Sequence, residues 1–271
     1  MGKEREQYTP GYGPASTAVM AVRTAQSHAA FFLPQLRPGM SVLDCGCGPG
    51  SITIGFAEIV APGQVVGTEI EDSQVALACE NASKSNVSNI RFEVADIYDL
   101  PFGDSFFDAA FISGVLGNLH EPGRGLREVY RVLKPGGVIG VTEFDEGGDL
   151  VYPSDPVLKT YNELYRRLRR ENGHDPEGGR RIGALLLEAS FRDLKMSASY
   201  QSFADPKSLR GTAKAFVGLL SESWGKEFKS RGWATAEALQ EMSDAWQRFA
   251  KTPGAFFASA WCEAVARKDA A

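Results

Sequence analysis

The sequence predicts an α/β chain built on a doubly wound, mainly parallel sheet, and three observations lead there. Short apolar runs alternate with helix-patterned segments between residues 41 and 144, and such alternation puts helices on both faces of a parallel sheet. A glycine-rich turn, Gly46-Cys47-Gly48-Pro49-Gly50, joins the first run to the helix after it, the place where open α/β sheets bring a ligand close to the backbone. The composition is 43% hydrophobic and 23% charged over 271 residues, which is that of an ordinary globular domain and excludes a disordered chain.

Residues 1–37 precede the sheet, with a Tyr/Gly/Pro stretch at 8–14 and a helix expected from 16 to about 33. Residues 41–45 read as the first strand and 51–60 as the helix after the glycine turn. A second strand follows at 64–69, a helix at 72–83, a third strand at 90–95 and a fourth at 107–113. Residues 122–133 form a helix, because Leu126, Val129, Tyr130 and Leu133 recur at i, i+3, i+4 and i+7. Lys134-Pro135-Gly136-Gly137 ends it, since proline cannot continue a helix and glycine supplies the turn. A fifth strand is expected at 138–144. Beyond it come helices at 155–171 and 180–190, a strand at 191–203, a helical insertion at about 205–251 and a last, antiparallel strand at 256–266. The reading is therefore an N-terminal segment, 1–37, and one seven-stranded domain, 38–271, with helical insertions at about 151–181 and 205–251.

The net charge of −5 argues against a nucleic-acid partner, which is held by clustered positive charge. No apolar run reaches the ~18–20 residues that span a bilayer, and Met1–Glu6 opens no signal peptide, so a cytoplasmic location is expected. Cys45, Cys47, Cys79 and Cys262 fit neither a disulfide framework nor a zinc spacing. Buried free thiols and no metal are expected.

The glycine spacing is informative. A dinucleotide-binding turn, G-x-G-x-x-G, needs a third glycine where Ser51 stands, and the third glycine here is Gly50. The pattern of a phosphate-cradling P-loop is also missing, and Pro49 removes an amide that a pyrophosphate would use. Glu69 lies nineteen residues past Gly50, at the end of the second strand, where a carboxylate can accept from both hydroxyls of a ribose. Asp96, ending the third strand, can accept from an adenine amine while Ile97 covers the ring; a turn or capping role is its alternative.

These segments, with Pro101-Phe102 before Phe107-Asp108 and Arg131-Val132-Leu133-Lys134-Pro135-Gly136-Gly137, resemble the ordered motifs of class I S-adenosylmethionine-dependent methyltransferases, above all the bacterial small-molecule and quinone-ring group. The resemblance covers residues 38–146 strongly and extends weakly through 180–203. It implies a Rossmann-like sheet and S-adenosyl-L-methionine as cofactor, with S-adenosyl-L-homocysteine as product. It further implies that Gly46, Cys47 and Gly48 line the methionine part and that Asp44 orders the loop and meets the amino group. Glu69 would hold the ribose hydroxyls, Ile70 would pack on adenine, and Gln74 is counted in the cofactor-binding set. Asp96 and Ile97 would read adenine, Ser113 would face the methionine end, and Tyr12 joins the cofactor-binding set. Two departures stand out: Glu69 replaces the commoner aspartate, and Gly117-Asn118-Leu119-His120 stands where many relatives carry a pair of histidines.

The methyl acceptor is expected to be a small, apolar or aromatic molecule lying at the carboxyl edge of the sheet, under the N-terminal segment and the insertions. His120 and Glu143, at the ends of the fourth and fifth strands, are the leading general-base candidates, followed by Asp145, His28 and His174. The run Arg166-Arg167-Leu168-Arg169-Arg170 is expected on a solvated helix face, while Arg180 and Arg181 are candidates for an acidic substrate group. Tyr8, Tyr12, Trp224 and Trp246 are candidates to line an aromatic pocket, with core packing the expected place of each Trp. Two other readings stay open: a nicotinamide-dependent oxidoreductase, disfavoured by the glycine spacing, and a non-methylating cofactor-binding protein or cyclase of the same fold. The oligomeric state is not fixed by the sequence, and a homodimer is compatible with it.

Overall fold

The structure, a computed structural model, describes residues 8–270. Pro14–Ala21 (α1) and Ala25–His28 (α2) replace the single helix expected at 16–33. Thr24 causes the break: its hydroxyl accepts from the Ser27 amide at 3.1 Å and Ser27 Oγ accepts from the Thr24 amide at 2.9 Å. This reciprocal cap starts a new helix instead of continuing the old one.

Val42–Cys45 (β1) and Val65–Glu69 (β2) are buried throughout, as befits central strands covered on both faces. With Ile90–Val94 (β3), Phe107–Ser113 (β4) and Leu133–Phe144 (β5) they form the parallel part of the sheet, in the order β3-β2-β1-β4-β5. The connections include Ser51–Val60 (α3), Asp72–Ser83 (α4) and Pro122–Val132 (α5). β5 starts earlier than expected, at Leu133, because that residue already pairs with Phe107 before the Pro135–Gly137 turn shifts the register.

An eighth strand joins the seven expected: Leu150–Tyr152 (β6), too short to stand out in the sequence. After it come Pro156–Glu171 (α6), Ile182–Glu188 (α7) and Arg192–Phe203 (β7). Pro206–Leu219 (α8) continues through one wide, π-type turn at Leu220–Trp224 into Gly225–Ser230 (α9), followed by Ala236–Phe249 (α10) and Phe256–Arg267 (β8). β8 runs antiparallel to β5 and, on its other edge, to β7, while β6 extends the β5 side opposite Phe256–Ala258.

This topology decides where the insertions go. The carboxyl ends of β1 to β5 and of β7 share one edge of the sheet with the start of β8, so the segments 145–181 and 204–255 both leave and return there. One sheet face packs on Phe32, Phe56 and Phe111, whose rings lie 5.1–5.9 Å apart. The other packs on Leu126, Val129, Ile182 and Leu186 of α5 and α7. A third core, with Tyr161, Leu168, Trp224, Phe228 and Trp246, joins α6, α8, α9 and α10 above the carboxyl edge. Full burial of side chains of this size contributes roughly 1.5–3 kcal/mol each, so the helical layer has a core of its own. Among the described residues no helix is long and apolar enough to cross a membrane, and no cluster of His, Cys, Asp and Glu could hold a metal ion. The four cysteines are free, and Cys79 is exposed, not buried as expected, because α4 turns it outward.

Candidate functional site

The loop after β1 has a backbone only glycine accepts easily. Gly46 and Gly48 have φ of 71° and 51°, and a Cβ on Gly46 would run into the Val115 side chain. The Gly46 and Cys47 amides donate to the Thr68 carbonyl at 2.7 and 3.0 Å. The Gly48 amide donates to Glu69 Oε2 at 3.1 Å, and the Ile70 amide to Glu69 Oε1 at 2.7 Å. Burial pushes the Glu69 carboxyl up while these amides pull it back down. Asp44, 2% exposed, accepts from the Thr53 hydroxyl at 2.6 Å, and burial raises its pKa to about 7, with a smaller contribution from the Glu69 charge. Burial also pushes the Cys47 thiol well up, which leaves it protonated and no nucleophile.

Every residue singled out for the cofactor except Gln74 lines one cleft at the carboxyl ends of β1 to β4. Asp44, Gly46, Cys47 and Gly48 form its base; Glu69 and Ile70 lie on one side with Asp96 and Ile97, and Ser113 and Tyr12 lie toward the other end. Asp96 already accepts from the Tyr98 amide at 2.9 Å with one carboxylate oxygen. Ser113 Oγ is buried without a hydrogen-bond partner among the described residues. Gln74 faces away: its amide donates to Thr17 Oγ1 at 3.2 Å and so ties α4 to α1.

A second cavity, of about 820 Å³, adjoins the first beneath α6 and α8, and Tyr8, Met20, Arg23 and Asn118 line both. Its walls carry aromatic rings, with Tyr165 stacked on Trp224 at 3.8 Å and Phe144 against Trp261 at the same distance. Trp224 thus lines the cavity as well as the core, whereas Trp246 is core alone. The polar groups on this wall include His28, Glu146, Asp149 and Arg169. Burial, helped by the Arg23 charge, lowers the His28 pKa to about 4, so this imidazole is neutral near pH 7. Asp149 accepts from the Ala260 amide at 2.9 Å, and burial lifts its pKa to about 7.

The two leading base candidates lie outside both cavities. His120 is exposed, with Nε2 3.0 Å from the Asn172 carbonyl and its ring beside His174. Glu143 is buried, but its carboxylate accepts from the Gly117 and Phe144 amides at 3.0 and 3.1 Å and braces the turn after β4. Asp145 grips the Arg180 guanidinium at 2.5 and 2.7 Å, which occupies both groups, and Arg181 pairs with Asp175 at 2.9 Å. His174 Nδ1 lies 2.8 Å from Thr9 Oγ1.

The arginine run is not a solvated face throughout. Arg169 is 2% exposed and reaches Glu146 Oε1 at 2.5 Å and the Gly117 carbonyl at 2.7 Å. The signal was present, since Tyr161, Tyr165 and Arg169 recur every fourth residue and share a face. Arg23 and Asn118 carried no such signal; tertiary packing alone brings them to the cavities.

A family model described as a methyltransferase domain matches residues 36–180. An uncharacterized methyltransferase of Schizosaccharomyces pombe is 30% identical over 95% of this chain and 96% of its own. A ubiquinone/menaquinone biosynthesis C-methyltransferase of Vibrio cholerae is 36% identical over 48% of this chain and 47% of its own. Among solved structures, a putative methyltransferase of Bacillus halodurans superposes with a TM-score of 0.61 at 21% identity, covering 88% of this chain and 97% of that one; at that identity the likeness is one of fold.

Proposed function

The chain belongs to the class I S-adenosylmethionine-dependent methyltransferase family, and from that premise we propose that it binds S-adenosylmethionine over β1 to β4 and methylates a small, largely aromatic molecule in the adjoining cavity. The observation that carries this reading is the junction of the two spaces at Tyr8, Met20, Arg23 and Asn118. One space is lined by the glycine loop and strand-end acids, the other by aromatic rings, and they meet where a methyl group would change hands.

The residues present fit the cofactor. Glu69 and Asp96 are acceptors at the ends of neighbouring strands, with the apolar Ile70 and Ile97 beside them, and Ser113 Oγ is an orphaned polar atom in the opposite wall. In this reading Glu69 takes the ribose hydroxyls, Asp96 and Ile97 meet adenine, and Asp44 with the 46–48 backbone holds the amino acid portion. When bound, S-adenosylmethionine supplies a methyl group already activated on a sulfonium.

The chain's own task is then alignment and exclusion of water. Holding the acceptor atom in line is worth ~7–11 kcal/mol in favourable cases, and a closed site removes competing water. The N-terminal segment and the insertions at 151–181 and 205–251 serve as the cover; residues 1–7 lie outside the described residues. Any base for an acceptor proton is better sought in Asp149 and neutral His28, which face the acceptor cavity, than in His120 or Glu143.

Calorimetry with S-adenosylhomocysteine and with NAD, followed by single turnover of methyl-labelled S-adenosylmethionine over phenols, quinones, amines and carboxylic acids, tests the reading. Binding of S-adenosylhomocysteine, no saturable NAD binding and labelled product are expected. NAD binding alone reverses the assignment; cofactor binding with no transfer to any class favours a non-methylating member of the fold.

A further inference from the structure

We propose that Arg23 anchors an ionised oxygen of the acceptor, a carboxylate or phenolate on a flat aromatic frame, at the junction of the two cavities. The proposal rests on the methyltransferase reading for what the anchored molecule is, but not for the existence of the anion site.

Arg23 is nine-tenths buried and lines both cavities. Among the described residues its Nε has no hydrogen-bond partner and no carboxylate lies within ion-pair distance of its guanidinium. An arginine cannot shed its proton to escape such a place, and burying an uncompensated cation is costly. The Phe144 and Trp261 rings, 5.1 and 5.0 Å from the guanidinium carbon, offset part of that cost. They leave its Nε–H without an acceptor among the described residues. Burial presses against its charged form, while Tyr8 and Glu143 favour it at longer range.

The neighbouring cations differ. Arg169 is committed to Glu146, Gly117 and Asn118, and Arg166 donates to the Glu146 carbonyl at 3.3 Å. His28 is held neutral. Arg166 and Arg169 each hold a protein acceptor, although Arg169 Nε is also unpartnered, whereas no side-chain hydrogen bond to a protein acceptor holds Arg23 among the described residues; a planar guanidinium matches an oxygen acid better than any neutral group. The stacked pair Tyr165–Trp224 and the tilted pair Phe144–Trp261 suit a flat ring. An oxygen held at the junction is anionic at the start, so it takes the methyl group from the sulfonium, which leaves as the neutral thioether, without a separate base.

The test uses 2-naphthoate, 2-naphthol and methyl 2-naphthoate as probes of one shape. Their affinities are measured on wild type, Arg23→Met and Arg23→Lys, with and without S-adenosylhomocysteine, and melting temperature reports folding. Wild type should prefer naphthoate or ionised naphthol over the ester by about tenfold or more. Arg23→Met should lose that preference while ester affinity stays within about twofold, and Arg23→Lys should keep part of it. A preference for naphthoate assigns a carboxylate and one for naphthol a phenolate. Equal binding of acid and ester by wild type, a preference surviving in Arg23→Met, or no saturable binding of any probe overturns the proposal. If Arg23→Met does not fold, the wild-type and Lys comparisons still decide. Binding of S-adenosylhomocysteine is read separately: its failure, with the acid preference intact and dependent on Arg23, removes the methyltransferase reading and leaves the anion site.

Discussion

The Glu69 carboxylate accepts a hydrogen bond from the Gly48 amide at 3.1 Å, so the acid at the end of β2 fixes the loop after β1 as well as facing the cleft. A single side chain thus couples the shape of the glycine turn to the group proposed for the ribose. Bonds to a charged acceptor contribute roughly 1.5–3 kcal/mol each. Glu69→Ala should weaken S-adenosylhomocysteine binding about ten- to a hundredfold and lower the melting temperature by a few degrees, because the Gly48 amide loses its partner. Glu69→Gln keeps one carbonyl oxygen and should lose less on both counts. Calorimetry on the folded variants checks this, and a loss under twofold in Glu69→Ala takes Glu69 out of the ribose role.

Asp44 should write its proton into the pH dependence. Its folded pKa, about 7, lies above the ordinary 3.8 because the carboxyl is buried. The folded chain therefore holds this proton more tightly than the unfolded one. The stability it contributes is fully present below about pH 4 and is lost as pH rises to about 7. Asp44→Asn does not titrate, so its melting temperature should gain on wild type from pH 4 to 7 and run parallel above. Affinity of wild type for S-adenosylhomocysteine should rise from pH 6 to 8 as the carboxylate forms opposite the amino group. A flat difference between the two proteins over pH 4–7 contradicts the burial argument.

The two glycines of the loop should not be equivalent. An added Cβ on Gly46 collides with Val115, whereas one on Gly48 meets only the flexible Met20 sulfur at 3.3 Å. Both positions also carry the strain of positive φ, about 1 kcal/mol or more for alanine. Gly46→Ala should lower stability and cofactor affinity together. Gly48→Ala should carry only that backbone strain, about 1 kcal/mol, and so lose less stability than Gly46→Ala, and Gly48→Val should lose cofactor binding with its helix content intact. Circular dichroism and calorimetry on the three variants separate these outcomes; full affinity in Gly48→Val would make the loop an ordinary turn.

The sheet and the cleft were legible because their signals are local. Strand polarity follows from alternation, and the glycine turn, Glu69 and Asp96 fall at strand ends whose positions the apolar runs define. The second cavity was not legible, because its walls come from α1, α6, α8, β5 and β8 among others and no local pattern brings Arg23 to Trp261. That His120 and Glu143 lie outside both cavities was not legible for a related reason. A strand end fixes where a residue starts but not which side its side chain takes, and Glu143 turns to the Gly117 amide. Gln74 likewise occupies the expected helix but turns toward Thr17.

The N-terminal segment gives the last prediction. Tyr8 and Tyr12, 5.1 Å apart, line the cleft proposed for the cofactor, and Tyr8 also lines the second cavity. The segment is tied to the insertions and not to the sheet: Thr9 Oγ1 meets His174 Nδ1 at 2.8 Å and accepts from the Asn172 amide group at 3.0 Å, and the Pro10 carbonyl accepts from Ser223 at 3.2 Å. The three main cores take nothing from residues 8–14. Deleting residues 1–14 should therefore remove the wall over the junction while leaving the sheet and its helices in place. Turnover should fall by tenfold or more, as expected when water reaches an otherwise closed site, while the melting temperature drops only a few degrees. In the full chain, proteolysis within about the first 15 residues should be slowed by S-adenosylhomocysteine, because a segment that closes over a ligand is held by it. Thr9→Val, which removes two bonds to the 172–174 turn, should speed that cleavage without touching either cavity's lining. Full activity in the truncated enzyme, or cleavage indifferent to ligand, would leave the cover to the 151–181 and 205–251 insertions alone.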